Sequence, residues 1–288
     1  MPTSAPSPIV QIKAGSEKPP IFIVHGLSGL VQFRQLANHI QTNRPIYGIR
    51  AQGIDGKAEP LERVEDMAQL YLERLQEVCP DDPYILIGYS FGGLVALEMA
   101  QRLAERGKRV ALLALVDAYP HPHFLPTADR LRLFVERMKN HAEHMRELSL
   151  PGSLSYFVDG LKRRLHFPGA LHESQRPPEA QGLTFGEANL RRVNQKAYLA
   201  YTKYRPRFYP GAVKFVTTEI KSFVPRSPAA VWGPLTGRIE IEVIPGDHLN
   251  VVTTEFKGLA SVLTRYIQEV VSKANPREIG AVGCIRDG

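Results

Sequence analysis

The sequence predicts an α/β protein: a mostly parallel central sheet with helices on both faces and a helical insertion above it. Three observations predict this. Short apolar runs alternate with helical periodicity over residues 19–120, polar helical patterns fill 121–205, and strand patterns return over 206–274 before a closing helix. A strand buried on both faces reads as an unbroken apolar run, and strands alternating with helices pair in parallel through crossover connections.

In chain order, the Pro/Ser-rich opening over 1–18 reads as a flexible lead-in. IFIVHG (21–26), PIYGIR (45–50), YILIGY (84–89) and VALLALVD (110–117) follow as buried strands. Between them VQFRQLANHI (31–40), VEDMAQLYLERLQEV (64–78) and LVALEMAQRLAERG (94–107) carry apolar residues at helical spacing. The block 121–205 holds TADRLRLFVERMKNHAEHMREL, SLSYFVDGLKRRL and FGEANLRRVNQKAYLAYTKY, separated by Pro/Gly stretches, and is expected as a helical lid above the sheet. AVKFVTT (212–218) and RIEIEVIPG (238–246) complete the strands, and LASVLTRYIQEVVSK (259–273) supplies the last helix. Residues 275–288 have the Gly/Pro content of a flexible tail.

Composition narrows the function classes. No run of about 18 apolar residues occurs and the N-terminus lacks the apolar core of a secretory signal, so a cytoplasmic protein outside the membrane is expected. Cys79 and Cys284 are the only cysteines, which suits free thiols in a reducing compartment. The net charge is +7, but the Lys and Arg residues are dispersed and no basic run with interleaved aromatics marks a nucleic-acid site. A basic surface equally suits an acidic protein partner or a phosphate-bearing arm.

The chemistry concentrates at Gly88-Tyr89-Ser90-Phe91-Gly92, a G-x-S-x-G element with a strand before it and a helix after it. A serine on such a turn needs small neighbours so that strand and helix can close on each other, and Gly88, Gly92 and Gly93 provide them. Glycine entering a helix costs about 1 kcal/mol relative to alanine. Close backbone approach therefore governs the composition here. The competing reading, Ser90 as a plain helix cap, accounts for the serine but not for the glycines around it.

A serine hydroxyl attacks only with a base beside it and an acid to orient that base, in the chain order Ser, acid, His. His248 in IPGDHLNV is the one histidine in the right place and order: His25 and His39 precede the serine, and the other six lie in the insertion. Two acids compete. Asp117 ends the apolar strand VALLALVD, where an unpaired carboxylate is costly, and Glu219 follows AVKFVTT. Asp117 is preferred on that ground, and Asp247 is assigned to a turn. The oxyanion donors are expected to be the main-chain amides of Phe91, next to the serine, and Leu27 in HGLSGL. His141 and His144 in HAEH lack a third ligand at a readable spacing, so no metal and no diffusible cofactor is expected.

With these residues placed, residues 20–120 and 238–272 resemble the thioesterase domain that releases products from polyketide synthases and nonribosomal peptide synthetases. The segments IFIVHGLSG, IYGIRAQGIDG, the long stretch from VEDMAQ to LVDAYP, and IPGDHLNV carry the likeness. It implies an α/β-hydrolase fold and a catalytic acid after the strand that follows the nucleophile helix, which falls on Asp117 and not Glu219. It also implies an acyl or peptidyl chain carried as a thioester on the phosphopantetheine arm of a carrier protein, released by hydrolysis or cyclisation. GYSFGG is similar to the releasing class; the editing thioesterases show a GHSMGA-like turn. The chain contains no carrier segment, so an excised terminal domain and a freestanding enzyme both fit. Lys162, Arg163 and Arg164 are candidate carrier contacts, with a solvated helix face as the plainer reading. A general carboxylesterase or acyl-CoA thioesterase, and a catalytically idle carrier-binding module, are the competing functions.

Overall fold

Alternate side chains of the strand Ile21–Val24 enter two different cores. Phe22 and Val24 join one apolar cluster, and Ile21 and Ile23 join another. The same division recurs in Tyr84–Tyr89 and Val110–Val116, because successive side chains of a strand point to opposite faces. With both faces covered, neither face tolerates polar side chains, which is why these strands read as continuous apolar runs.

The structure, a computed structural model, describes residues 7–27, 33–81, 83–125, 127–135, 185–220, 225 and 227–274. Its strands are β1 (Ile9–Lys13), β2 (Ile21–Val24), β3 (Ile46–Ile49), β4 (Tyr84–Tyr89), β5 (Val110–Val116), β6 (Tyr209–Thr218) and β7 (Thr236–Ile244). They form one sheet in the order β1-β3-β2-β4-β5-β6-β7, with β1 antiparallel and the others parallel. The helices α1 (Phe33–His39), α2 (Val64–Val78) and α3 (Phe91–Glu105) lie between the early strands. Further on come α4 (127–135), α5 (Phe185–Lys203), α6 (Pro228–Trp232), α7 (Asn250–Thr253) and α8 (Phe256–Ala274). Apolar residues of α2 and α3 complete one core, and those of α1 and α8 complete the other.

One expectation is corrected. The lead-in expected over 1–18 contains β1, which pairs antiparallel with β3 from Ile9↔Ile49 to Lys13↔Ile46. An edge strand needs a partner on one side only, so the short, half-buried IVQIK suffices without the long apolar run of an internal strand. The helix after Ser90 begins at Phe91, so Gly92 and Gly93 lie inside its first turn, in line with two glycines entering a helix, and the apolar spacing read from Leu94 is its continuation. Strand β4 and helix α3 are joined by Ser90 alone.

Of the block 121–205, the structure describes a short 3-10 turn at Pro122–Phe124, α4 and α5. His141, His144, Lys162, Arg163 and Arg164 lie outside the described residues, as does the tail 275–288 with Cys284. Helix α5 is tied to the body at its middle and just past its C-terminal end. On either side of its midpoint Arg192 grips both oxygens of Glu59 at 2.8 and 2.7 Å, and Lys196 reaches Glu62 at 3.3 Å. Just past its end the Tyr204 hydroxyl donates to Glu98 of α3 at 3.0 Å. Glu98 is fully buried, and Arg102 at 2.8 Å and Arg207 at 3.4 Å balance its charge.

Candidate active site

Parallel strands end on the same edge of a sheet, and loops at that edge form the natural crevice of an open α/β sheet. Ser90 follows β4, Asp117 follows β5, Leu27 lies beyond β2, and His248 lies in the loop after β7. Residues far apart in sequence meet there because β4, β5, β6 and β7 are neighbours in the sheet.

Ser90 adopts φ 53° and ψ −126°, a left-handed backbone that a non-glycine residue enters only under constraint. The constraint is packing of the turn from both sides. A Cβ on Gly88 would strike the backbone of Gly92 and Gly93, one on Gly92 would strike the carbonyls of His25 and Val24, and one on Gly93 would strike the Ala118 side chain. The Ser90 amide donates to the Val116 carbonyl at 2.8 Å, which fixes the turn to β5. Ser90 occupies the N-cap position of α3, yet its side chain caps no amide. Its hydroxyl is directed elsewhere.

That hydroxyl lies 3.0 Å from His248 Nε2, and His248 Nδ1 lies 2.7 Å from Asp117 Oδ2. A carboxylate only accepts, so the proton of the neutral ring is on Nδ1, and the bare Nε2 accepts from the Ser90 O–H. Asp117 is itself at positive φ (46°) and fully buried. Three groups hold it: its amide donates to the Val216 carbonyl at 2.7 Å, the Thr217 hydroxyl donates to Oδ1 at 3.2 Å, and the Thr218 hydroxyl donates to Oδ2 at 3.4 Å. Behind them the Tyr119 hydroxyl meets Thr217 Oγ1 at 3.1 Å, and Trp232 Nε1 donates to the Ala118 carbonyl at 3.0 Å. Glu219, the alternative acid, is exposed, with its amide on the Ile244 carbonyl at 2.9 Å.

The loop carrying His248 is shaped by its neighbour. Asp247 Oδ1 accepts from the amides of Leu249 and Asn250, each at 2.9 Å, and Oδ2 accepts from the Asn250 side chain at 2.6 Å. The Asn250 amide is the main cause that holds the Asp247 carboxyl below the usual carboxylate range. Asp247 is therefore a turn residue that starts α7, as its place in the sequence suggested.

On the opposite wall, His25 is buried at the end of β2 and bonds the Gly26 carbonyl through Nδ1. Its Nε2 then accepts from the Tyr71 hydroxyl at 3.2 Å. Burial pushes the His25 pKa down, against the opposing pull of the Gly26 carbonyl, so the ring is neutral. This arrangement steadies the segment that leads into Leu27. Phe91 heads α3, where the first amides have no intrahelical acceptor and the helix dipole favours negative charge.

Sequence reasoning did not single out Thr217, Thr218, Tyr89 or Trp232. The two threonines end β6 beside the strand that delivers Asp117, a signal readable only with the strand order in hand. Among the described residues, no group of three or more His, Cys, Asp or Glu side chains is placed to hold a metal ion. No helix among them is long and apolar enough to cross a membrane.

The fold is that of the α/β hydrolases, and its site is a serine, a histidine and an aspartate hydrogen-bonded in series at the sheet edge. The chain belongs to the Thioesterase domain family, whose model matches residues 19–267, and is a hydrolase by that membership. It is 32% identical over 245 residues to a dimodular nonribosomal peptide synthase of Bacillus subtilis (strain 168), covering 82% of this chain and 10% of that protein. It is 29% identical over 250 residues to malpibaldin synthetase of Mortierella alpina, covering 84% of this chain and 4% of that protein. The chain thus spans a tenth or less of the length of these relatives. Among solved structures, the NocB thioesterase domain in covalent complex with a fluorophosphonate nocardicin G analogue superposes with a TM-score of 0.59 at 21% identity. That match covers 87% of this chain and 95% of the NocB chain, and it shows the shared fold.

Proposed function

We propose that this chain releases an acyl or peptidyl chain from the phosphopantetheine arm of a carrier protein, through an acyl-enzyme on Ser90. The observation that carries the reading is the relay from Ser90 Oγ to His248 Nε2 at 3.0 Å and from His248 Nδ1 to Asp117 at 2.7 Å, in a chain of the Thioesterase domain family. His248 takes the Ser90 proton as Oγ attacks the thioester carbonyl, and Asp117 stabilises the imidazolium that forms. The amides of Phe91 and Leu27 donate to the oxyanion. Collapse of the tetrahedral species expels the thiolate of the arm, which takes the proton from His248, and leaves the acyl ester on Ser90. Water, or a nucleophile within the bound chain, then attacks that ester with His248 as base, so the product leaves by hydrolysis or cyclisation. The net charge of +7 favours an acidic carrier, and the synthetase relatives are the context in which such a carrier is met.

Intact-mass analysis after incubation with loaded carrier proteins tests the reading. An added acyl mass on the wild type, absent from Ser90→Ala, is expected. Acyl-pantetheine thioesters should turn over faster than matched oxygen esters; the reverse order would point to a general esterase. Failure of a fluorophosphonate to label Ser90 would favour an idle carrier-binding module.

A further inference from the structure

We infer that Tyr89 is a positioning residue for acyl transfer, its ring and hydroxyl together holding the His248 imidazole at the Ser90 hydroxyl. The inference rests on the Ser90 acyl-enzyme reading above. Tyr89 makes two contacts with one residue. Its ring stacks on the imidazole, with centroids 5.1 Å apart and planes 26° from parallel, and its hydroxyl donates to the backbone carbonyl of the same histidine. The hydrogen bond fixes where the loop sits, and the stack fixes the plane of the ring. That plane must contain the directions to both Asp117 and Ser90 if His248 is to pass a proton.

Tyr89 is rigid enough for this task. Its side chain is 4% exposed, its ring edge meets Phe33 at 5.9 Å, and its Cδ1 lies 3.1 Å from where a Cβ on Gly26 would stand. Burial, with the nearby Asp117 adding to it, pushes the phenol pKa up, so the hydroxyl remains a donor. The histidine is the less constrained partner: its side chain is 33% exposed and the next residue, Leu249, is 62% exposed. One side chain therefore refers a loop 159 residues away to the strand that carries the nucleophile and to the loop that carries Leu27. A tyrosine placed only to fill the core would need some acceptor for its hydroxyl. It would not need the carbonyl of the residue on which its ring is stacked.

The test compares wild type, Tyr89→Phe, Tyr89→Leu and Ser90→Ala on a short acyl-pantetheine thioester, with folding checked by circular dichroism. A misplacement near 1 Å can cost about a hundredfold in rate, so kcat should fall about tenfold in Tyr89→Phe, which keeps the stack, and about a hundredfold in Tyr89→Leu. KM should stay within about twofold in both, because neither contact is made to substrate. The downfield proton resonance of the bond between His248 and Asp117 should persist in Tyr89→Phe and broaden or vanish in Tyr89→Leu. A folded Tyr89→Leu with wild-type kcat and an intact resonance, beside an inactive Ser90→Ala, overturns the inference and leaves the Ser90 reading standing. If Tyr89→Leu does not fold, wild-type kcat in Tyr89→Phe overturns it. Wild-type turnover by Ser90→Ala removes the Ser90 reading and this inference with it.

Discussion

Gly92 lies so close to the carbonyl of His25 that a methyl group in place of its hydrogen would overlap the oxygen. The contact locks the first turn of α3 to the end of β2, and so sets the Ser90 elbow against the segment leading to Leu27. In an open helix, Gly→Ala gains about 1 kcal/mol, but overpacking against backbone that cannot rotate away costs about 1–3 kcal/mol. Gly92→Ala should therefore lose stability in chemical denaturation. It should also slow fluorophosphonate labelling of Ser90 with the serine intact. A more stable, fully labelled variant would contradict this account.

Asp117→Asn keeps the shape of the side chain but lets an amide donor face His248 Nδ1, favouring the wrong tautomer. A loss on the order of 10⁴ in kcat is expected, the magnitude known for the equivalent change in a protease triad. Glu219→Gln should stay within about twofold of wild type, since that carboxylate is exposed. Steady-state kinetics on an acyl-pantetheine thioester decide between the two acids.

Thr217→Val removes the hydroxyl that donates to Asp117 Oδ1 while filling the same space. A hydrogen bond to a charged group is worth about 1.5–3 kcal/mol, so the buried carboxylate should lose that much support. A fall in melting temperature is expected, together with a kcat about tenfold lower at unchanged KM, since a drop of 1.4 kcal/mol in transition-state stabilisation is tenfold. Unchanged kinetics would show that Thr218 and the Val216 carbonyl suffice to place Asp117.

His25 gives a pH signature. Burial holds its pKa below the value of about 6.5 it takes in an unfolded chain, so between those two values the unfolded state binds more protons than the fold. Stability contributed by the neutral ring is complete above about pH 6.5 and is lost as the pH falls. The gap in melting temperature between wild type and His25→Gln should be widest near pH 8 and shrink toward pH 5. A gap that widens on acidification would mean that His25 is protonated in the fold.

Much of the architecture was readable residue by residue. IFIV and YILIGY announce strands covered on both sides, and the glycines around Ser90 announce a turn that cannot hold side chains. β1 was missed because an edge strand of five residues borrows half its hydrogen bonding and little burial, so IVQIK carries no distinctive pattern. The start of α3 was legible from its glycines: they are poor helix formers, so their place in the first turn signals close packing that outweighs propensity.

By itself the sequence determined which residues are the candidates for the chemistry and which segments form the buried sheet, because apolar periodicity and turn composition are local properties. Only the tertiary structure decided what those residues touch. The order β4-β5-β6-β7 brings Asp117, the threonines of β6 and the loop of His248 to one edge, and Tyr89 beneath them meets a histidine 159 residues away. Hydrogen bonds act over about 3 Å, so partners separated by a hundred residues or more are selected by how the strands pack and by nothing in the sequence around either one.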